Sequence, residues 1–566
     1  MSDYGGGVYV SGGYFTMTGG NISGHAWTLG TGVYLVQQQT FTINGGTIFG
    51  IYSEVEINEI TINGGSIAAI YSGVEINEIT INGGSIGGID SGVEINQLTI
   101  NGGTISGIDS GAEINQLTMN DGTISAIDSG AKIYQFTMHD GTVNGGVVAE
   151  NFTMYDGIIS GNICVGVYVT GTFIMHGGKI TNNGQQGDGE VGGVIADIMI
   201  MHGGEISNNS VFSGIGGVRA RHFTMYGGRI HGNYTLETFV GGVSANTMIM
   251  HGGEITGNYT SQFGAGGVSA GHFTMYGGRI SENFGANESP GGVRAGTVIM
   301  YGGEISDNAG SYAGGVMATN MIMHGGEISD NRSSASGTSR DAGGVRVTNL
   351  TMHDGKISDN SGGTAGGVMA TNMIMHGGEI SGNISPSIGF LGVGGVSATN
   401  VTMHDGQISE NIGTVAGGVR ARYFTMSDGQ ISGNSGLLAG GVRANNVIMS
   451  DGEISENIAR DNGGGIYLAL GCCCQLNMPT SMNITGGTIR GNIANNGGGA
   501  YVHHNNQHKP VLNIADEVIF TGNVARNGLF IDNDLAALNP QVAPGVISVL
   551  NTHAFTNYDI NASNGS

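Results

Sequence analysis

The stretch VSANTMIMHGGEITGN, residues 243–258, sets apolar Val243, Ala245, Met248 and Met250 among polar neighbours, turns at Gly-Gly, and resumes with Ile255. Apolar and polar positions alternating near period two mark a strand that buries one face. Each run is only a few residues long and is closed by Gly-Gly or Asp-Gly, pairs that favour tight turns. No segment carries the spacing of an amphipathic helix, so the pattern predicts strands and turns alone.

The unit recurs. The residue closing the FTM or LTI triplet stands at Ile43, Ile62, Ile81, Ile100, Met119 and Met138, every 19 residues. It returns at Met154, Met175, Met201, Met225, Met250, Met275, Met300, Met323, Met352, Met375, Met403, Met426 and Met449, spaced by about 16 to 29 residues. Outlying copies fall at Met17 and Ile484, with a degenerate one near Ile514. A coil of about 20 residues cannot bury its apolar face alone, but stacked on its neighbours it can. The expectation is therefore an all-β protein: a right-handed, single-stranded parallel β-helix (β-solenoid) of about 22 coils. Its hand follows from the right-handedness of parallel crossovers. Strands about 4.8 Å apart would make a rod on the order of 100 Å long. The Asn ending each unit (Asn233, Asn258, Asn283, Asn308, Asn331) is expected to form an inward or corner ladder of stacked amides.

One continuous solenoid is expected, in five stretches: partial coils over 1–40, regular 19-residue coils over 41–143, longer coils over 144–459, degenerate coils over 460–526, and a closing segment over 527–566. From Val194 to Met449 the lengths Val-to-Met and Met-to-Asn are constant, so all variation falls between the Asn and the next Gly-Gly-Val. Insertions thus emerge along one edge, which in solenoids often marks the binding face, although surface corners also tolerate drift. The longest insertions, SSASGTSRDA (333–342) and ISPSIGFLGV (384–393), nominate Ser333, Ser334, Thr338, Arg340, Asp341, Ser385, Ser387 and Phe390 as binding residues.

Outward columns follow from the same register. The residue after each anchor is a ring at His139, Tyr155, His176, His202, Tyr226, His251, Tyr276, Tyr301, His324, His353, His376 and His404. Rings at coil pitch stack as a packing ladder; the competing readings are a sugar-stacking or metal-binding strip, the latter lacking converging geometry. Three residues further on, Lys179, Glu205, Arg229, Glu254, Arg279, Glu304, Glu327, Lys356 and Glu379 mostly alternate in sign. Opposite charges on neighbouring coils help fix register, though each exposed pair contributes only about 0–1 kcal/mol. Glu56, Glu75, Glu94 and Glu113 instead form a file of one sign ending at Lys132, which makes them candidate Ca²⁺ ligands. The calcium-roll pattern GGxGxDx is absent, Ile replacing its third Gly. A Thr file (Thr42, Thr61, Thr80, Thr99, Thr118, Thr137) resembles that of ice-binding β-solenoids, with Asn in place of the second Thr file.

Composition narrows the function. Gly is 110 of 566 residues but Pro only 6, which excludes collagen. The formal charge of −25 repels nucleic acid and anionic membranes. Cys164 is isolated and Cys472, Cys473 and Cys474 are contiguous, so neither a disulfide framework nor a zinc site is expected. No run approaches twenty apolar residues, so no membrane insertion is expected. The start lacks the regions of a signal peptide and opens in mid-repeat, which suggests a fragment. Catalysis would need a unique polar cluster breaking the repeat. Asp121, Asp140, Asp156, Asp354, Asp405, Asp428 and Asp451 sit in Asp-Gly turns and are explained by turn chemistry. The remaining irregular cluster, His503, His504 and His508 near Asp516 and Glu517, reads as a loop before the last coils.

The units GGxISxN, FTMxGG and NNGGGIY, with VIFTGNVARN and the closing HAFTNYDINA (553–562), resemble the β-helix repeats of large bacterial cell-surface, adhesin-like proteins of pectate-lyase-like fold. The likeness covers nearly the whole chain and is specific for architecture, weak for function. It implies an extracellular, surface-displayed, non-enzymatic stalk or adhesin-like module without resident cofactor, contacting a glycan or a protein of a host or neighbouring cell. A monomer is favoured. The alternatives are a polysaccharide lyase or hydrolase, a phage tail-spike-like protein and, as a minor reading, an ice-binding solenoid.

Overall fold

A computed structural model describes residues 7–23, 32–36, 39–53, 55–73, 75–184, 190–237, 239–333, 341–387, 392–469, 480–504, 510–526, 547–549 and 560–564. Among them every regular element is a strand. The chain divides into two compact units, Met1–Asn258 and Tyr259–Ser566. Both are built as a parallel β-helix.

In the first unit, strands pair in parallel with the equivalent strand of the next coil. Glu75–Ile81 lies on Glu94–Ile100 with every residue shifted by 19, and Val194–Met201, Val218–Met225 and Val243–Met250 stack Met on Met. A second file of short strands runs through Lys179–Thr181, Glu205–Ser207, Arg229–His231 and Glu254–Thr256. The second unit repeats both files. Its long strands include Val268–Met275, Val293–Met300, Val316–Met323 and Val345–Met352; its short strands include Arg279–Ser281, Glu304–Ser306 and Glu327–Ser329. A third side carries two-residue strands such as Tyr259–Thr260, Phe284–Gly285, Ala309–Gly310 and Arg332–Ser333.

The alternation contains one deliberate slip. In Val218–Met225 the buried positions are Val218, Ala220, Phe223 and Met225, with Arg221 and His222 both outward. That step of three is where the chain turns a corner; in later coils it divides the segment outright, as in Val396–Ser397 and Asn400–Met403. Inside, like stacks on like. Met201, Met225 and Met250 are fully buried, as are Ile206, Ile230 and Ile255. Each contributes about 1.5–3 kcal/mol by leaving water. Phe136, Phe152 and Phe173 stack at 4.8 and 4.9 Å.

The Asn ladder forms in each unit, and it satisfies its amides completely. Asn209 donates Nδ2–H to Asn233 Oδ1 (3.0 Å) and to the Ile180 carbonyl (2.9 Å), while Asn233 Oδ1 also accepts the Asn209 backbone N–H (3.0 Å). In the second unit the same triple contact links Asn308, Asn331, Asn360, Asn383, Asn411, Asn434 and Asn457, all fully buried. The backbone reaches this corner by a left-handed residue just before the Asn: Asn208, Glu282, Asp307, Asp330, Asp359, Glu410 or Glu456, with Gly232, Gly382 and Gly433 taking the same place elsewhere. Gly217, which precedes Val218, has no room for a Cβ: the Gly242 carbonyl would lie 2.4 Å away. This close passage of one coil over the next explains part of the glycine content.

Candidate functional site

The edge that varies in length follows the ladder Asn. Its two-residue strands bury the second residue and turn the first outward, as in Tyr259–Thr260 and Ile458–Ala459. This outward file is strongly apolar. In the first unit Phe212, Leu236 and Phe239 are 50–58% exposed. In the second, Tyr259, Phe263, Phe284, Ile384, Ile412 and Ile458 are exposed, and Tyr259 stacks on Phe284 at 5.4 Å. Among the described residues, four of the five exposed phenylalanines (Phe212, Phe239, Phe263 and Phe284, but not Phe49) lie on this edge. Phe239 has φ of +96°, a conformation a bulky residue adopts only under constraint. None of these residues was singled out from the sequence. For Tyr259, Phe284, Ile384, Ile412 and Ile458 the available signal was the apolar residue following the Asn in GNYT, ENFG, GNIS, ENIG and ENIA.

The residues nominated on this edge divide. Ser333, Asp341 and Ser385 are buried and hydrogen bonded inside the edge, so they anchor the insertions and do not face a partner. Asp341 Oδ2 accepts from Ser333 Oγ (2.6 Å) and the Gly363 N–H (2.8 Å), and Oδ1 accepts from the Thr364 N–H and Oγ1, both at 3.1 Å. Ser385 Oγ donates to the Gly363 carbonyl at 2.8 Å. Ser387 is half-buried. Ser334, Thr338, Arg340 and Phe390 lie outside the described residues, as do Cys472, Cys473, Cys474 and His508.

The ring column stacks in both units. His176, His202, Tyr226 and His251 follow at 4.8–5.0 Å with interplanar angles of 4–6°. Tyr276, Tyr301, His324, His353, His376 and His404 follow at 4.8–5.0 Å and 4–12°. Ring faces are thereby spent on one another, and a sugar would meet only edges: phenol hydroxyls and imidazole nitrogens. The same column begins earlier as an exposed amide ladder, Asn44, Asn63, Asn82, Asn101 and Asn120, with Nδ2–Oδ1 distances of 2.7–2.8 Å. The change of residue type hid that continuity in the sequence.

In the charge file Lys179 pairs with Glu205 at 3.6 Å, Arg229 with Glu254 at 3.4 Å and Arg279 with Glu304 at 3.4 Å. Ser207 and His231 also bond to Glu205, and these hydrogen bonds hold its carboxyl below the usual carboxylate range. Beside this file in the second unit runs a groove of about 1040 Å³, bordered by Glu304, Glu327, Lys356, Glu379, Gln407 and Gln430. Asp354, Asp405 and Asp428 on its wall each accept their own turn's Gly N–H at 2.7 Å.

Glu75, Glu94 and Glu113 are in register on successive strands, ending on Lys132, which is hydrogen bonded to Glu113 and keeps that carboxyl low. Asn96 donates to Glu75, and Glu56 is exposed at the start of the file. Among the described residues no three His, Cys, Asp or Glu side chains converge as a metal site. In the irregular C-terminal cluster, His503 Nδ1 meets the Tyr467 hydroxyl at 3.2 Å. Asp516 and Glu517 are exposed in a turn. Comparisons with protein-family models, with curated proteins and with solved structures found no match to this chain.

Proposed function

We propose that this chain is a non-enzymatic, surface-displayed β-helix that acts as a stalk or adhesin-like module, binding a glycan or a protein through its variable edge. The observation carrying this reading is the concentration of exposed phenylalanine there. Phe has no polar atom to justify exposure, and contiguous exposed apolar surface marks interaction sites. Asp341 and Ser385 support the reading by tying down the bases of the two longest insertions. The repetitive faces elsewhere supply length and regularity, as a stalk requires.

The test is saturable binding of the purified chain to a broad glycan array, and to candidate cell surfaces, with and without Ca²⁺. The variants F212S/F239S and F263S/F284S should each lower binding while leaving the far-ultraviolet spectrum unchanged. Binding undiminished in both would remove the edge from the account. Binding that requires Ca²⁺ and disappears in E75Q/E94Q would move attention to the Glu file. The groove beside Glu304 and Glu379 favours a second reading, a polysaccharide lyase or hydrolase, which release of oligosaccharides from a polysaccharide would support.

A further inference from the structure

Two outward rows run side by side along the variable edge of the second unit. The first follows the buried ladder Asn and reads, coil on coil, Phe284, Ala309, Arg332, Ser361, Ile384, Ile412, Ser435 and Ile458. Ile384, Ile412 and Ile458 are 42–50% exposed. The second row lies two residues earlier in each coil, at the left-handed position before the Asn. It reads Glu282, Asp307, Asp330, Asp359, Gly382, Glu410, Gly433 and Glu456, and every acidic residue in it is exposed. No coil of this stretch places a base there.

The acidic row is a departure from the fold's own rule. In the first unit the same position is neutral, held by Asn182, Asn208, Gly232 and Gly257. Gly and Asn are also the residues a left-handed backbone tolerates best. Glu282, Glu410 and Glu456 hold φ of +56° to +57° there instead, against that preference. Nor are the charges paired off within the stack. Arg279 meets Asp307 at 3.0 Å and Arg490 meets Glu456 at 3.5 Å; among the described residues no ion pair takes up Glu282, Asp330, Asp359 or Glu410. Asp307, Asp330 and Asp359 precede ladder residues of successive coils. Desolvation, and then Asp307, Asp359, Glu327 and Glu304, push the Asp330 carboxyl above its usual range.

An apolar row flanked by carboxylates fits a partner of complementary order, apolar residues flanked by Lys or Arg. A second copy of this chain would set carboxylates against carboxylates, and the same row repels nucleic acid and anionic lipid. Isoleucine side chains offer a sugar ring no flat face. The rows climb about 4.8 Å per coil. The turns of a helix recur at about 5.4 Å, a closer match than the same-face side chains of a strand, about 6.6–6.8 Å apart.

We infer that this edge of the second unit docks a basic amphipathic helix of a partner protein, with its apolar stripe on Ile384, Ile412 and Ile458 and its Lys or Arg side chains on Asp330, Asp359 and Glu410. The inference rests on the reading of the edge as a contact surface and narrows its ligand to protein. From Asn331 to Asn457 the ladder climbs five steps. That is about 24 Å, which a helix of about 16 residues spans.

The experiment is fluorescence anisotropy of a labelled amphipathic Leu/Lys peptide of about 16 residues, titrated with the full chain beside a scrambled peptide of the same composition and a Leu/Glu peptide. The Leu/Lys peptide should bind and gain helix by circular dichroism, more weakly at high salt. The other two should bind about tenfold more weakly or not at all. I384S/I412S/I458S should lower affinity about tenfold. D330N/D359N/E410N should lower it about fivefold at low salt and flatten the salt dependence. The fold already carries both replacements, Ser435 in the apolar row and Asn182 and Asn208 at the left-handed position. E75Q/E94Q, which removes carboxylates from the exposed file of the first unit, should bind as the parent does. Equal binding of the scrambled peptide, parent-like binding by either edge variant, or an equal loss in E75Q/E94Q would overturn the inference. Glycan binding that the edge variants lose, with no peptide bound, would overturn it and leave the edge a contact surface; no binding to peptide, glycan or cell surface would remove both.

Discussion

Replacing Asn360 by Ala tests the buried amide ladder most directly. Asn360 is fully buried. Its Oδ1 accepts the Asn331 N–H and the Asn331 Nδ2–H, each at 3.0 Å. Its own Nδ2 donates to Asn383 Oδ1 (3.0 Å) and to the Ile328 carbonyl (2.9 Å). Truncation does not orphan everything. Asn331 Nδ2 keeps the Ile305 and Ser329 carbonyls, and Asn383 Oδ1 keeps the Asn360 backbone N–H. What is lost is the acceptor of the Asn331 N–H and the side-chain donor to the Ile328 carbonyl. Leaving the buried Asn331 N–H unsatisfied costs about 1–3 kcal/mol, and with the lost amide bond to the Ile328 carbonyl and a small cavity the total comes to about 3 kcal/mol. Asn349→Ala supplies the control. Asn349 makes the same kind of amide bond, to Asn320 at 2.9 Å and from Asn372 at 2.8 Å, but in the exposed ladder, where water replaces the partner. It should cost less than about 1 kcal/mol. Urea denaturation of both variants, with amide hydrogen exchange to locate the loss, is the appropriate assay because a repeat array can unfold in segments. Equal costs for the two variants, or a cost below about 1 kcal/mol for Asn360→Ala, would refute the reasoning.

Other expectations follow from the same geometry. Glu410 holds φ of +57° where the neighbouring coils use Gly382 and Gly433. Glu410→Gly should therefore stabilise by about 0.5–1 kcal/mol in urea denaturation, relief of left-handed strain exceeding the entropy glycine adds to the unfolded chain. Asp341→Ala removes the acceptor of two backbone N–H groups and two hydroxyls in a buried position. It should cost about 3 kcal/mol and raise protease sensitivity at the 333–342 insertion. Desolvation, and then the neighbouring His404 and His353, hold the His376 pKa below its ordinary value. Below about pH 6.5 the unfolded chain therefore binds more protons at this residue than the folded one. Stability should fall as pH drops from about 6.5 to the depressed folded value and then level off; thermal melts should show a shallower fall in His376→Gln.

How much the sequence disclosed depended on whether a position speaks through its own residue type or through its place in a coil. The coil, the parallel register, the Met and Ile rows and the buried Asn file were legible because Met201, Met225 and Met250, or Asn308 and Asn331, repeat one residue type in one role. The corner within Val218–Met225 was not, since a step of three inside a run of twos looks like noise until Arg221 and His222 both face outward. The left-handed residue before each ladder Asn was hidden by its variety: Gly, Asn, Asp and Glu share a backbone angle, not a chemistry. Ser333, Asp341 and Ser385 drew attention as polar insertion residues, but polarity in a loop does not distinguish a contact from an anchor. Asp341 spends its whole carboxylate on holding the chain in place.

The same distinction separates the faces of this protein. Where a column repeats with compensation, ring on ring, amide on amide or Lys179 against Glu205, each side chain is satisfied by its neighbours and has little left to offer a partner. Recognition should therefore be sought where a column breaks its own rule. The edge does so by exposing Phe212, Phe239, Phe263 and Phe284 while, among the described residues, seven other phenylalanines, Phe41 and Phe273 among them, are fully buried. This departure opposes the stability of the coils that carry it, through unburied apolar area. A surface that lowers the stability of its own fold is better explained by an interaction with something outside the chain than by the packing of the coils.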